Sequence, residues 1–408
     1  MQASLACVNL DANKASISDA IDAGLLSGAV TMVWQAGEEL QVNELGYRDV
    51  EARLPMQRDT LFRIASMTKP VTVAAAMTLV DEGRLSLSDP ITKWLPELST
   101  LRVMKSTRGA LDDTVPAERP ITIDDLMTHR SGFAYAFSVL GPLARAYGKL
   151  MRRQDEDSWL AGLAELPLAH QPGARLTYSV STDVLGIVLS RIEDKPLSQV
   201  LSERIFQPLG MTSTGFSVGQ DGRKRAATMY RLGDDETLHH DTMGPAPITD
   251  PQLCSAGAGL WSTVDDYLRF ARMLLSGGEL DGVRVLSEAS AMAMRTDRLT
   301  DEQKRYPFLG MPYWVGRGFG LNLSVVTDPA KSKQLFGPGG EGTFTWPGAY
   351  GTWWQADPSA DLILIYLIQN HPDLSGDAGS AVAGNTSLAK LQSVQPKFVR
   401  RTYQALGL

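Results

Sequence analysis

The chain of 408 residues has two cysteines, five histidines, no excess of positive charge and no apolar run of membrane-spanning length. Each shortage excludes something. Cys7 and Cys254, far apart in sequence, cannot make a disulfide framework and read as free thiols of a reducing compartment. A net charge of -7 and a pI near 5.4 lack the clustered positive charge that nucleic acid or an anionic membrane demands. Arg223-Lys224-Arg225 is a local exception and reads as a solvated turn. The start, Met1-Gln2-Ala3-Ser4-Leu5-Ala6-Cys7, has neither the charged opening nor the apolar stretch of a secretory leader. The expectation is a cytoplasmic protein with no nucleic-acid partner and no membrane partner. Among the histidines only His239-His240-Asp241 clusters, and without metal-ligand spacing it reads as an exposed loop, so neither metal nor cofactor is expected.

What is present is ordinary globular composition, 43% hydrophobic and 21% charged, enough for one large core or two domains. Residues 11–25 read as an amphipathic helix. Residues 28–34 and 40–46 read as a hairpin turning at Gly37-Glu38-Glu39. Strand patterns return at residues 342–346, 350–355 and 361–368, while residues 123–126, 158–165, 181–192, 197–206, 263–276 and 287–295 look helical. The expected fold is α/β: an antiparallel sheet built from both chain ends, flanked by helices, with a helical insertion. The division places residues 1–88 and 256–408 in the sheet domain and residues 89–255 in a mainly helical domain. The active site is expected in the cleft between them. The paths of loops 100–119, 138–157 and 301–318, which shape that cleft, are not legible.

Ser66-Met67-Thr68-Lys69 lies where the extended run 61–65 turns into a helical pattern over 70–82. The spacing puts a hydroxyl and an amine one turn apart on one face. A serine hydroxyl must lose its proton to a nearby base as it attacks, and N–H groups at a helix start favour the negative charge that develops. The pattern recurs at Ser387-Leu388-Ala389-Lys390, which follows the small-residue segment 379–384 and reads as a helix N-cap.

Tyr178-Ser179 stands in a loop at a helix entrance. A free phenol titrates near ~10, so a base role needs a cation beside it; from this feature alone, Tyr178 reads as a core aromatic sooner than as a base. Trp346-Pro347-Gly348-Ala349 interrupts a strand with residues that cannot continue an interior ladder, so an edge strand is expected. Such an edge can offer a backbone N–H to a carbonyl oxygen, with Trp346 as an apolar wall.

In this order the three segments resemble the serine β-lactamase and penicillin-binding superfamily, most closely its class C-like carboxylesterases, often called family VIII. The segments 126–133 and 257–267 are also similar, and the resemblance runs over residues 27–369. It implies Ser66 as nucleophile, Lys69 and Tyr178 as the proton-transfer pair, and the N–H groups of Ser66 and Ala349 as oxyanion hole. It also implies Trp346 and Gly348 as substrate-binding positions and Tyr135 and Asp183 as supports of the hydrogen-bond network. Two departures from class C lactamases stand out: Tyr178-Ser179-Val180 lacks their asparagine, and Trp346-Pro347-Gly348 replaces their Lys-Thr-Gly, removing an anion-binding lysine. The implied activity is cofactor-free hydrolysis of a short-chain, small-molecule carboxylic ester through a Ser66 acyl-enzyme, with possible acyl transfer and weak β-lactam turnover. A peptidase or amidase of the same superfamily and a non-catalytic acyl or β-lactam binder stay open as alternatives.

Rival patterns fit less well. Gly215-Phe216-Ser217-Val218-Gly219 matches a nucleophile elbow, yet no buried strand leads in and the polar residues 220–225 lead out. Gly337-Pro338-Gly339-Gly340-Glu341-Gly342 matches a dinucleotide fingerprint but enters a strand, where a phosphate site needs a helix.

Overall fold

The computed structural model describes residues 9–233, 235–241, 243–371 and 386–408. Cys7, the opening segment and residues 379–384 lie outside the described residues. The apolar run Gly28–Gln35 forms β1, and Glu38–Asp49 forms β2. Their turn is Ala36-Gly37, with φ of 51° and 91°, and so falls one residue earlier than the Gly37-Glu38-Glu39 expected. Two successive left-handed residues match the twist of the flanking strands. Short β3 (Leu54–Pro55) follows. From the far end come β4 (Arg317–Phe319), β5 (Ser324–Val326), β6 (Phe344–Thr345), β7 (Trp353–Asp357) and β8 (Leu362–Leu367). These make one eight-stranded sheet in the order β4-β5-β6-β7-β8-β1-β2-β3, antiparallel throughout. The chain ends therefore meet at its centre, where Val30 faces Leu367 and Met32 faces Ile365.

Five helices pack on the sheet or into its cores: α1 (Asp11–Asp22), α2 (Thr68–Asp81), α3 (Ser181–Glu193), α4 (Val264–Leu275) and α5 (Thr386–Leu406). Strand alternation sends Ala29, Val33, Leu364 and Tyr366 to one face, where Ile17 of α1 and Phe398 of α5 cover them. Val30, Met32, Ile363 and Ile365 point to the other, into a core shared with α2, α3 and α4. β1 and β8 are covered on both faces, which is why they read as continuous apolar runs with no polar alternation. The second core continues into the helical part through Leu126, Phe133, Tyr147 and Trp159. Among the described residues no helix is long and apolar enough to cross a membrane.

Several local expectations are corrected. Residues 346–352 are not an edge strand, because β6 ends at Thr345 between two partners and β7 resumes only at Trp353. Pro347 has no N–H to extend the ladder, so the chain leaves it as a turn. Arg223-Lys224-Arg225 is the last turn of a short helix, Gly219–Arg225, where Lys224 pairs with Asp221 at 2.8 Å and positive charge suits the carbonyl end. That helix gives Ser217 one flank of an elbow, but Ser217 Oγ donates to Asp250 at 2.6 Å and no described strand precedes it. His239 and His240 lie in a short exposed strand, Leu238–His240, with His239 beside Asp235. α5 begins at Thr386, and Ser387 donates to Glu236 at 2.7 Å while Lys390 points to solvent. The 138–157 segment contains the helix Gly141–Leu150.

His170 supplies a pH test of the fold. Its two ring nitrogens meet the Gln171 carbonyl at 2.9 Å and Thr177 Oγ1 at 3.0 Å. The carbonyl can only accept, so Nδ1 carries a proton, while the Thr177 hydroxyl can serve Nε2 as donor or acceptor. Burial, reinforced by the Arg175 charge, pushes its pKa down to about 4. The unfolded chain therefore takes up this proton before the folded one, and stability should fall as pH drops from about 6.5 toward 4. Thermal melts across that window should show a shallower loss in His170→Gln than in the parent; equal slopes would remove His170 from the cause.

Candidate active site

The position of Ser66 comes from backbone geometry. The short strand Phe62–Arg63 pairs with Trp261–Ser262, and the chain then turns through Ala65 at φ 45°, a left-handed conformation costly for a residue with a Cβ. A single 3-10 turn, Ala65–Met67, leads straight into α2. Ser66 therefore sits where the first N–H groups of a helix lack internal acceptors. Positions 68 to 79 of α2 are all buried, and the one charged side chain among them, Lys69, is fully shut from solvent.

Lys69 Nζ donates to Ser66 Oγ at 3.2 Å and to the Gly257 carbonyl at 2.7 Å. It also lies 4.7 Å from the Tyr178 ring centre and 5.4 Å from that of Tyr135. Among the described residues no carboxylate lies within ion-pair distance of it. Tyr178 arrives from a loop more than a hundred residues away, and its Oη lies 2.7 Å from Ser66 Oγ. The hydroxyl, amine and phenol, predicted from two separate segments, thus converge.

Trp346 adds more than a wall. Its Nε1 donates to Tyr178 Oη at 3.1 Å, and its carbonyl accepts from Trp354 Nε1 at 3.1 Å. An indole N–H can only donate, so this bond strengthens as the phenol oxygen gains negative charge. Gly348 packs against the segment that carries Ser66: a Cβ there would lie 2.4 Å from the Ile64 carbonyl and 2.0 Å from Thr352 Oγ1. Its N–H donates to the Thr352 carbonyl at 2.7 Å, while the next N–H, that of Ala349, meets no acceptor among the described residues. That leaves one donor available beside the Ser66 segment.

Asp183 and Tyr135 lie behind the lysine. Asp183 Oδ1 accepts from Ser255 Oγ at 2.7 Å and from the Gly257 N–H at 3.0 Å, and Tyr135 Oη donates to Oδ2 at 3.4 Å. The carboxylate therefore anchors Gly257, the residue whose carbonyl holds Lys69. Burial above all, with Asp183 and Tyr178 adding to it, raises the Tyr135 phenol well above its usual value, so Tyr135 stays a proton donor. Below Tyr178, His129 lies edge-on at 4.8 Å with Nδ1 3.1 Å from Ser179 Oγ. Burial first, then the Lys69 charge, lowers its pKa well below the usual imidazole value. His129 is thus a neutral support, and Ser179 turns inward to it.

Gly257 was missing from the sequence-derived site because its contribution is a carbonyl, which every residue has. The Trp346 N–H was missed for a related reason: the residue type implied an apolar wall, and only its orientation reveals a donor. Phe308, from the illegible 301–318 loop, packs on both Tyr178 at 5.6 Å and Trp346 at 5.7 Å. A buried amine and a phenol converging on a helix-start serine, beside an antiparallel sheet, define the serine β-lactamase class of fold and site. A family model described as Beta-lactamase matches residues 14–383, and the chain belongs to that family.

Within it, an uncharacterised protein of Mycobacterium tuberculosis is 69% identical over 401 residues, 98% of this chain and 100% of that one. Esterase EstB of Burkholderia gladioli is 34% identical over 368 residues, 84% of this chain and 86% of its own. Among solved structures, EstCE1, described as a hydrolase with promiscuous acyltransferase activity, superposes with a TM-score of 0.75 at 27% identity. That match covers 95% of this chain and 98% of EstCE1. These neighbours fit a class C-like esterase of the superfamily.

Proposed function

We propose that the protein is a serine esterase that opens short-chain carboxylic esters of small molecules through a Ser66 acyl-enzyme. The observation that carries this reading is the approach of Lys69 Nζ and Tyr178 Oη to one hydroxyl, at 3.2 Å and 2.7 Å. The esterase and hydrolase neighbours support the same reaction class. As Ser66 Oγ attacks, its proton passes to Tyr178 acting as the phenolate, whose negative charge the Lys69 ammonium and the Trp346 N–H offset. The N–H groups of Ser66 and Ala349 receive the carbonyl oxygen as it becomes negative. Tyr178 then protonates the leaving alkoxide and activates water for deacylation; an alcohol in place of water gives acyl transfer.

In this reading the cleft divides a sheet unit, residues 1–88 with 256–408, from a helical unit, residues 89–255. Ser66, Lys69 and Ala349 come from the first and Tyr135, Tyr178 and Asp183 from the second. Trp346 carries no charge for a β-lactam carboxylate, which forfeits a charge-assisted bond worth ~1.5–3 kcal/mol. A panel of p-nitrophenyl butyrate, nitrocefin and a D-alanyl amide tests the assignment, with intact-protein mass spectrometry mapping the adduct. We expect butyrate turnover to dominate and a butyryl group on Ser66. An adduct on Ser217, or nitrocefin as the best substrate, would overturn it.

A further inference from the structure

Arg175 stands three residues before Tyr178, half-buried, in the wall of a cavity of about 200 Å³ that Tyr178 itself bounds. Its other walls are largely apolar, including Val139, Leu176, Pro307, Phe308 and Leu309, and Arg175 is the one charged residue among them. The guanidinium has no carboxylate partner among the described residues. Its Nε is closed to solvent without an acceptor, and its head lies 5.5 Å from the Tyr306 ring centre. A half-buried cation beside apolar walls, with no carboxylate partner and one buried donor unmet, is a site for an anion that arrives with the ligand. One guanidinium without a second cation suits a single negative charge, and its planar fork matches a carboxylate.

We propose that this cavity takes the alcohol limb of the ester and that the limb carries a carboxylate, so that the substrates are esters of hydroxy acids. The inference rests on the proposed Ser66 esterase reading. Tyr178 links the two: it bounds the cavity and, in that reading, protonates the departing oxygen, so the limb beside it is the alcohol. In acylation the Ser66 Oγ–acyl carbon bond forms, the ester C–O bond breaks, and the Ser66 proton passes through Tyr178 to the released hydroxy acid. Arg175 is a specificity residue for that limb and takes no part in proton transfer.

The test compares 4-(butyryloxy)benzoate with its methyl ester, which share one acyl group and hence one acyl-enzyme, on the parent, Arg175→Met and Arg175→Lys. The parent should favour the acid. Arg175→Met should lose about 10- to 100-fold in kcat/KM on the acid and under about threefold on the methyl ester, with Arg175→Lys between. Equal losses on both substrates, or no loss on the acid, overturn the proposal. Should neither ester, nor p-nitrophenyl butyrate, acylate the parent, the esterase reading fails separately. Calorimetric binding of 4-hydroxybenzoate then decides the site: loss of binding in a folded Arg175→Met supports it, and unchanged binding refutes it.

Discussion

Replacing Ser66 with Ala abolishes butyryl-enzyme formation and lowers kcat/KM for p-nitrophenyl butyrate by about 10⁴- to 10⁶-fold, the range seen when a nucleophile is removed from a coupled set. The fold should survive, because the lost hydroxyl carries no packing load: its partners Lys69 and Tyr178 keep the Gly257 carbonyl and the Trp346 N–H respectively. Stopped-flow release of p-nitrophenol reads the outcome, with no burst expected. A full burst from a folded variant would mean that another serine accepts the acyl group, and Ser217, hydrogen-bonded to Asp250, is the one to map next.

Lys69→Met should separate activity from stability. Activity should fall by about 10²- to 10⁴-fold, the range for removing a positioned proton-transfer group. The melting temperature should hold or rise. Lys69 is fully buried with neutral acceptors and two aromatic faces around it, an environment that solvates an ammonium incompletely. Methionine keeps the stem's volume and removes the charge, and the orphaned Gly257 carbonyl sets about 1–3 kcal/mol against that gain. Thermal melts beside steady-state rates decide the matter. A clear drop in melting temperature together with the rate would make Lys69 a structural residue and weaken its assignment as a proton-transfer partner.

The large sheet and its two-ended origin were legible because β1 and β8 are apolar enough to declare themselves without partners. The pairing of Ser66 with Lys69 was legible for a local reason, since helical spacing alone brings positions 66 and 69 onto one face. Tyr178 was not local, and it could be named only with Trp346-Pro347-Gly348 as part of an ordered set resembling a known superfamily. The misreading at residues 346–351 came from taking proline as the mark of an edge. The ladder there simply stops, while sheet neighbours on both sides keep the strand internal.

By itself the sequence determined what short-range rules control: helix faces, the buried central strands, and a hydroxyl one turn from an amine. The tertiary structure alone decided that the Tyr178 oxygen comes within 2.7 Å of Ser66 and receives the Trp346 N–H. It also decided that the Gly257 carbonyl, steadied by Asp183, holds the lysine. These contacts join residues separated by 74 to 188 positions. Their geometry depends on how whole elements pack, and backbone carbonyls and side-chain orientations leave no mark in the letters of the chain.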